Sequence, residues 1–176
     1  MVLNSKFKLI IGLGNPGKKY ENTYHNAGFL AVDHWLMKHE TWNIKHKLFM
    51  ASQFKIHDSR FMIYVVKPST FMNDSGQAVT AALKYFSVRA GEILVIHDDS
   101  DIKFGKIKLS FGRGAAGHHG VESIIKNLKT KNFWRWRIGI RKTNFKREKA
   151  GKIVLTKITP ADKLVWERLF SDLKIL

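Results

Sequence analysis

Residues 9–29, LIIGLGNPGKKYENTYHNAGF, constrain the fold of this chain more than any other stretch. An apolar strand runs into a turn rich in Gly, Asn and Pro, and helical spacing of apolar residues begins at Ala27. Between the two lies His25, flanked by Tyr24 and Asn26. The segment therefore predicts a strand, a loop and a helix in succession, with a candidate proton acceptor presented by the loop.

Glycines in this segment also fit the G-x-G-x-x-G pattern of dinucleotide-binding folds, at Gly12, Gly14 and Gly17. Such a site needs a helix that opens at the last glycines and an acidic residue at the end of the next strand, about 20 residues on. Here Pro16 removes an N–H from the turn, and Asp33 falls inside the predicted helix. The pattern therefore does not favour a nucleotide cofactor.

Strand and helix signals alternate along the rest of the chain. Strands are predicted over residues 48–56, 61–66, 92–97, 106–110 and 134–140, and helices over residues 121–128 and 160–173 and after a cap at Ser75. Residues 142–152 read as a polar, basic linker. This order is typical of one α/β domain over residues 1–176, with a mixed, largely parallel twisted sheet flanked by helices.

Polar side chains follow the predicted strands or open the helix that comes after them. They are Asn15, Asn73, Asp98 and the pair His118 and His119. Because ligands gather at the C-terminal ends of parallel strands, we expect these side chains to meet at one site. A histidine can take a proton from water near neutral pH, and a carboxylate that accepts its other ring N–H stabilises the imidazolium. With no cysteine and no nucleophile-elbow serine in the chain, this chemistry favours direct attack by water.

Basic charge is concentrated in the second part of the chain. The net charge is +17, and residues 103–176 contribute +14 of it. An excess of this size indicates a polyanionic partner, for which nucleic acid is the leading candidate, although a solvated basic face would give the same composition. The sequence shows no apolar run of membrane-spanning length and no signal-peptide core, so a cytoplasmic protein without a membrane partner is expected.

An acidic cluster at Asp98, Asp99 and Asp101 offers a different interpretation, because a Mg²⁺-dependent nuclease would also be a basic protein with grouped carboxylates. A cluster of this kind after a strand is also an ordinary turn composition, and no second carboxylate cluster is present to complete two-metal geometry. No metal is therefore expected. In the preceding strand, His97 is interpreted as a core histidine.

The segment WRWRIGI alternates tryptophan and arginine at residues 134–137. It could be a strand that stacks RNA bases on its aromatic rings. The pattern favours tryptophans that face the core and arginines that face solvent or RNA.

Motifs of this chain occur in the order found in bacterial-type peptidyl-tRNA hydrolases: GLGNPG, YHNAG, PSTFMN-x-SG, HDD-x-D, GHxG and RWRIGI. The chain resembles that family from residue 9 to about residue 155. The resemblance implies a monomeric α/β enzyme, without cofactor or metal, that hydrolyses the ester between a peptide and the 3′-terminal ribose of tRNA. The implied partner is peptidyl-tRNA, bound through its acceptor stem and 3′ end.

Matching motifs imply roles for individual residues. His25 would be the general base that activates water, and Asp98 would orient it. Asn15 and Asn73 would position the carbonyl and peptide backbone of the substrate. Further substrate-binding residues would be Tyr20, Met72 and His118, and those that contact tRNA phosphates would be Lys106, Lys108 and Arg137.

The chain departs from the family pattern in two places. The family usually reads GHNG where this chain reads GHHG, so His119 replaces an amide by an imidazole that cannot offer the same donor and acceptor pair. The lid helix near the groove is also expected to be shortened. Both departures predict a weaker hold on the substrate, and they motivate one alternative, an RNA-binding protein that kept the fold and lost catalysis.

Overall fold

The computed structural model describes residues 6–36, 42–55, 62–142 and 150–173. Within these residues the strands are β1 Leu9–Gly12, β2 Ile44–His46, β3 Phe49–Lys55, β4 Met62–Pro68, β5 Ile93–Lys103, β6 Ile107–Phe111 and β7 Trp134–Arg141. The α-helices are α1 Ala27–Leu36, α2 Ser75–Tyr85, α3 His119–Leu128, α4 Ala150–Ile153 and α5 Pro160–Asp172.

The strands form one seven-stranded sheet in the order β2-β3-β4-β1-β5-β7-β6. β1 pairs in parallel with β4 and β5, and β5 pairs in parallel with β7. The remaining pairs, β2 with β3, β3 with β4 and β6 with β7, are antiparallel, so that β3 and β6 alone of these strands run against the others. The predicted α/β fold with a mixed, largely parallel sheet is confirmed.

An apolar layer covers each face of the sheet, as the alternation along β1 requires. Ile10 packs into the layer that contains residues of α1 and α5, whereas Leu9 and Ile11 pack into the layer that contains residues of α2 and α3. In the described parts of the chain no helix combines the length and the apolar character needed to cross a membrane.

Gly12 and Gly28 allow α1 to lie directly against the sheet. A Cβ atom on Gly12 would stand 2.3 Å from the carbonyl oxygen of Gly28, and one on Gly28 would stand 2.3 Å from that of Ile96. Asp33 lies within α1, as predicted, and forms an ion pair with Lys67 at 2.6 Å. The first glycine of the G-x-G-x-x-G pattern is thus a packing residue.

β5 is longer than predicted, and the acidic residues lie inside it. Pairing with β7 continues through Asp98 and Asp99 and resumes at Lys103 after a shift of register. The expectation that Asp98, Asp99 and Asp101 occupy a loop is therefore wrong, because the partner strand provides hydrogen bonds that the local sequence does not reveal.

The start of α2 also differs from the prediction. Ser75 is the first residue of the helix and is buried, with its hydroxyl 4.0 Å from the sulfur of Met72, so it does not cap the helix. The N-cap position belongs to Asp74, whose side chain makes no capping hydrogen bond. α4 falls in the segment predicted as a linker, of which residues 143–149 lie outside the described residues.

Arg135 and Arg137 of β7 face the protein interior. Trp136 is buried as predicted, but Arg135 and Arg137 are buried too, at 2% and 9% exposure. Arg137 donates from Nε to Oδ2 of Asp99 at 2.7 Å, and Arg135 donates to backbone carbonyls of the loop after β6. The expectation that these arginines face solvent is wrong, because β7 lies between β5 and β6 and its side chains find partners there.

Candidate active site

An open cavity of about 610 Å³ lies beyond the C-terminal ends of β1 and β4 and beside residues 98–101 of β5. The predicted site residues that line it are Asn15, Tyr20, His25, Met72, Asn73, Asp98, His118 and His119. The predicted tRNA contacts Lys106, Lys108 and Arg137 do not line it. We call His25, Asp98 and His118 the cavity floor.

His25 is presented by a 3-10 turn, Tyr24–Asn26, immediately before α1. Its Nδ1 lies 2.9 Å from Oδ1 of Asp98, and the two side chains are 12% and 3% exposed. A carboxylate can only accept a hydrogen bond, so Nδ1 carries the proton. The other ring nitrogen, Nε2, is then free to take a proton from a water molecule.

Burial and charge within the cavity floor shift the pKa values of His25 and Asp98. Burial lowers the pKa of His25, but the charge of Asp98 and its hydrogen bond outweigh burial and bring this pKa above its ordinary value of 6.5. Burial raises the pKa of Asp98, whereas His25 and His118 together hold it well below its usual range. Asp98 is therefore a carboxylate across the physiological range, and His25 can accept and return a proton.

His118 contacts the same carboxylate from the other side. Its Nε2 lies 3.1 Å from Oδ1 of Asp98, and its Nδ1 accepts from the backbone N–H of Val121 at 3.3 Å, which caps α3. Nε2 therefore carries the proton. Both ring nitrogens of His118 are thus occupied within the protein, and its ring lines the cavity.

His97 lies behind the floor and is 1% exposed. Its Nδ1 donates to the backbone carbonyl of Asp98 at 2.6 Å, and its ring lies 4.6 Å from that of His118. Burial, reinforced by the charges of His118 and Arg135, lowers the pKa of His97 well below its ordinary value. The interpretation of His97 as a core histidine is confirmed, although its Nε2 has no hydrogen-bond partner among the described residues.

Asn15 joins the first loop to the segment after β4. Its Oδ1 accepts from the backbone N–H of Met72 at 2.7 Å. Asn26 exchanges two hydrogen bonds with the backbone of Asn15, at 2.8 and 3.0 Å, which fixes the turn that carries His25. With its oxygen occupied, Asn15 can offer its amide N–H₂ to a ligand in the cavity.

The acidic residues of β5 do not act as one ligand set. Both oxygens of Asp99 accept hydrogen bonds, Oδ2 from Arg137 and Oδ1 from the backbone N–H of Asp101. Among the described residues, His25, Asp98 and His118 do place one donor atom each within 4.8 Å of one another, as metal ligands can. The hydrogen bonds from both imidazoles to a single oxygen of Asp98 account for that proximity.

Exposed side chains surround the mouth of the cavity, and we call Phe71, Asn73, His119 and Leu155 the cavity rim. Phe71 is 54% exposed and contacts the ring of Tyr20 edge to face at 6.0 Å. Phe71 and Leu155 were not predicted from the sequence to be site residues. Phe71 directly precedes Met72 in the TFMN motif and could have been found there, whereas nothing in the local sequence marks Leu155.

The loop between β6 and α3 forms one wall of the cavity through residues 115–117. Arg135 donates from Nη2 to the carbonyl oxygens of Arg113 and Gly114 at 3.0 and 2.9 Å. Gly117, directly before His118, has a φ of 81°, in the left-handed region that favours glycine. The buried Arg135 and the left-handed backbone of Gly117 thus fix the loop that places His118 at the cavity floor.

Comparison with known proteins gives this geometry a family. The sequence model described as "Peptidyl-tRNA hydrolase" matches residues 9–175. This chain belongs to the peptidyl-tRNA hydrolase family. The sequence-based recognition of the family is therefore confirmed.

Several peptidyl-tRNA hydrolases are close relatives. The protein of that name from Mycoplasma mycoides subsp. mycoides is 38% identical over 165 residues, which cover 94% of this chain and 88% of the relative. That from Listeria welshimeri is 42% identical over 134 residues, covering 76% and 72%. The crystal structure of peptidyl-tRNA hydrolase from Acinetobacter baumannii matches with a TM-score of 0.81 and 32% identity, covering 95% of this chain and 84% of that one.

Proposed function

We propose that this chain hydrolyses the ester bond between the peptide and the 3′-terminal ribose of peptidyl-tRNA, and that a water activated by His25 is the nucleophile. The observation that carries the proposal is the 2.9 Å contact between Nδ1 of His25 and Asp98 at the floor of an open cavity. It leaves Nε2 as a base next to the space that a substrate would fill. Family membership supports the choice of substrate.

The reaction follows from these groups. Nε2 of His25 takes a proton from water as the water oxygen attacks the ester carbonyl, and the imidazolium that forms is stabilised by Asp98. The tetrahedral intermediate then collapses, the bond from carbonyl carbon to ribose 3′ oxygen breaks, and His25 returns the proton to that oxygen. The products are tRNA with a 3′ hydroxyl and a peptide carboxylic acid, which releases its proton to solvent and becomes a carboxylate. No step requires a metal or an organic cofactor.

Amide groups at the cavity suit the reacting carbonyl. The N–H₂ of Asn15 would donate to the carbonyl oxygen, which gains negative charge in the intermediate. The exposed amide of Asn73 would contact the peptide backbone. Tyr20 and Met72 would line the groove for the terminal adenosine and the first peptide residues, with the exposed ring of Phe71 beside Tyr20.

The nucleic acid would be held by charge. Lys106 and Lys108 are exposed, and residues 103–176, which contain them, carry +14 of the +17 net charge. Backbone contacts of this kind position an acceptor stem with little base readout, as many tRNAs require. Arg137 offers less surface for such a contact because its side chain is 11% exposed and paired with Asp99.

We propose that the chain acts as a monomeric single domain in the cytoplasm, where tRNA is used.

Hydrolysis of an N-acetyl-aminoacyl-tRNA at neutral pH, with and without EDTA, tests the proposal. His25→Ala should lower kcat by about 10²- to 10⁴-fold, the usual contribution of general base catalysis, and leave tRNA binding intact. His34→Ala is the matched control, because it removes an imidazole of α1 that lies outside the cavity. Cleavage that EDTA abolishes would contradict the metal-free mechanism. Binding without cleavage by the native chain would favour the RNA-binding alternative.

Replacing both Lys106 and Lys108 by alanine tests the RNA contact. The double variant should weaken tRNA binding and reduce its dependence on salt concentration, because each phosphate contact releases counterions. Lys84→Ala with Lys126→Ala, two exposed lysines on α2 and α3, is the matched control. An equal loss in both double variants would contradict the assignment of Lys106 and Lys108.

A further inference from the structure

The carboxylate of Asp162 is the centre of a polar cluster that lies outside the cavity. The hydroxyl of Tyr24 and the ammonium of Lys142 each donate to its Oδ2 at 2.5 Å. Thr159 completes a capping box at the start of α5, where its Oγ1 accepts from the backbone N–H of Asp162 at 3.1 Å. We call these residues the Asp162 cluster. Asp162 itself is 7% exposed.

The groups of the Asp162 cluster are complementary in charge and in hydrogen-bonding role. Burial raises the pKa of Asp162, but hydrogen bonds from Lys142, Tyr24 and Thr159 outweigh burial and lower it below its ordinary value. Burial and the hydrogen bond to Asp162 raise the pKa of Tyr24, so its hydroxyl keeps its proton. A charged acceptor therefore meets a cation and a neutral donor, which is the strong form of a hydrogen-bonded group.

Residues 154–158, which we call the strap, lead from α4 to α5 and run beside residues 22–25. Backbone hydrogen bonds join the two segments: His25 N–H to the carbonyl of Val154 at 2.7 Å, Tyr24 N–H to Thr156 at 3.2 Å and Ile158 N–H to Asn22 at 2.7 Å. Tyr24 thus contacts the strap through its backbone and Asp162 through its hydroxyl. The Asp162 cluster holds the end of the strap that enters α5.

The other end of the strap forms part of the cavity wall. Gly151, Val154 and Leu155 line the cavity, and Leu155 is 50% exposed at its rim. A peptide bound in the cavity would contact this part of the wall. The position of the wall therefore depends on how firmly the strap is docked.

The floor of the cavity has anchors of its own. Asp98 fixes the imidazole of His25, and the amide of Asn26 fixes the turn through Asn15. Neither anchor involves the Asp162 cluster. Loosening the strap would displace the wall and remove the backbone hydrogen bond from His25 to Val154, whereas Asp98 and the pair Asn15–Asn26 would still hold the imidazole and its turn.

We propose that Asp162 is a positioning residue for the substrate, which fixes the strap so that the cavity wall is formed before peptidyl-tRNA binds. Asp162 then determines KM much more than kcat. The inference rests on the proposed function, because it concerns the same cavity and the same reaction.

Asp162→Asn and Tyr24→Phe test this role with N-acetyl-aminoacyl-tRNA as substrate. Asp162→Asn removes the negative charge of the acceptor and Tyr24→Phe removes one of its donors. In each variant KM should therefore rise about five- to tenfold while kcat stays within about twofold. The pH dependence of kcat should not move, because His25 and Asp98 are untouched. Glu167→Gln is the matched control, since it removes a carboxylate of α5 that pairs only loosely with Lys163, at 4.0 Å.

Different results would overturn different statements. An unchanged KM in both variants, or a fall of kcat with KM unchanged, would refute the positioning role of Asp162. Tyr24→Phe decides the matter if Asp162→Asn does not fold, because it removes a single hydroxyl and keeps the aromatic ring that packs on Trp166. Failure of the native chain to cleave the substrate would refute the proposed function first and this inference with it.

Discussion

The floor and the rim of the cavity contain adjacent histidines that are held in opposite ways. His118, on the floor, has both ring nitrogens occupied, by Asp98 and by the backbone of Val121, and its side chain is 8% exposed. His119, on the rim, is 69% exposed and contacts Glu122 at 3.0 Å, another exposed side chain. Protein groups therefore fix the side chain of the floor histidine, whereas the rim histidine is left largely exposed.

The largest effect should come from breaking the floor at Asp98. Asp98→Asn keeps the size of the side chain but replaces the charged acceptor of two imidazoles, so the tautomer of His25 is no longer fixed and its imidazolium is no longer stabilised. We expect kcat to fall by about 10²-fold or more, within the range of general base catalysis. Single-turnover cleavage of N-acetyl-aminoacyl-tRNA measures it. A variant with near-native kcat would show that the floor does not orient the base.

The pH dependence of kcat tests the interaction between His25 and Asp98 more directly. His25 must be neutral to accept a proton, so kcat should rise with pH and reach half its maximum above pH 6.5, because Asp98 raises the pKa of His25. In Asp98→Asn the burial of His25 acts without that charge, and the midpoint should move to lower pH. A midpoint that stays in place would mean that another group limits the rate.

A smaller effect is expected at His118. His118→Leu removes one donor to Asp98 and the cap of α3, which is worth about 1 kcal/mol and should lower Tm by about 2–4 °C. We expect kcat to fall about tenfold because Asp98, a charged acceptor, loses one of its two imidazole donors. The matched control is His119→Leu, one residue along the chain. Equal losses of kcat and Tm in the two variants would contradict the distinction between floor and rim.

The smallest effect should come from changing the rim itself. His119→Asn restores the amide that the family usually carries at this position, with a donor and an acceptor for the peptide. One exposed hydrogen bond is worth little, so KM should fall by at most about threefold with kcat unchanged. Steady-state kinetics of the variant and the native chain decide this. A large change in kcat would indicate that His119 takes part in catalysis.

Sequence reasoning was most successful where the signal is local. The apolar runs and glycine-rich turns indicated the order of most strands and helices, and the family motifs indicated eight residues that line one cavity. The short strand β2 and the one-turn helix α4 were missed, because three or four residues carry too little periodicity to be recognised.

The errors arose where partners distant in the chain decide the outcome. Asp99 and Arg137 are far apart in the sequence, and each is buried only because the other neutralises it. For the same reason the two hydrogen bonds of His118 could not be foreseen, since one of them depends on Asp98 in the middle of β5 lying beside the start of α3. Leu155 reaches the rim through the strap, whose position depends on backbone hydrogen bonds to residues 22–25.

The position of β6 at the end of the sheet has a consequence for the behaviour of the protein in concentrated solution. One side of this strand has no neighbour in the order of the described strands, and its free backbone groups could pair with another chain. Lys108 on the strand and Lys106 beside it place like charges at that edge, which opposes pairing between copies. The side chains that we propose hold RNA would therefore also protect the protein from aggregation whenever RNA is absent.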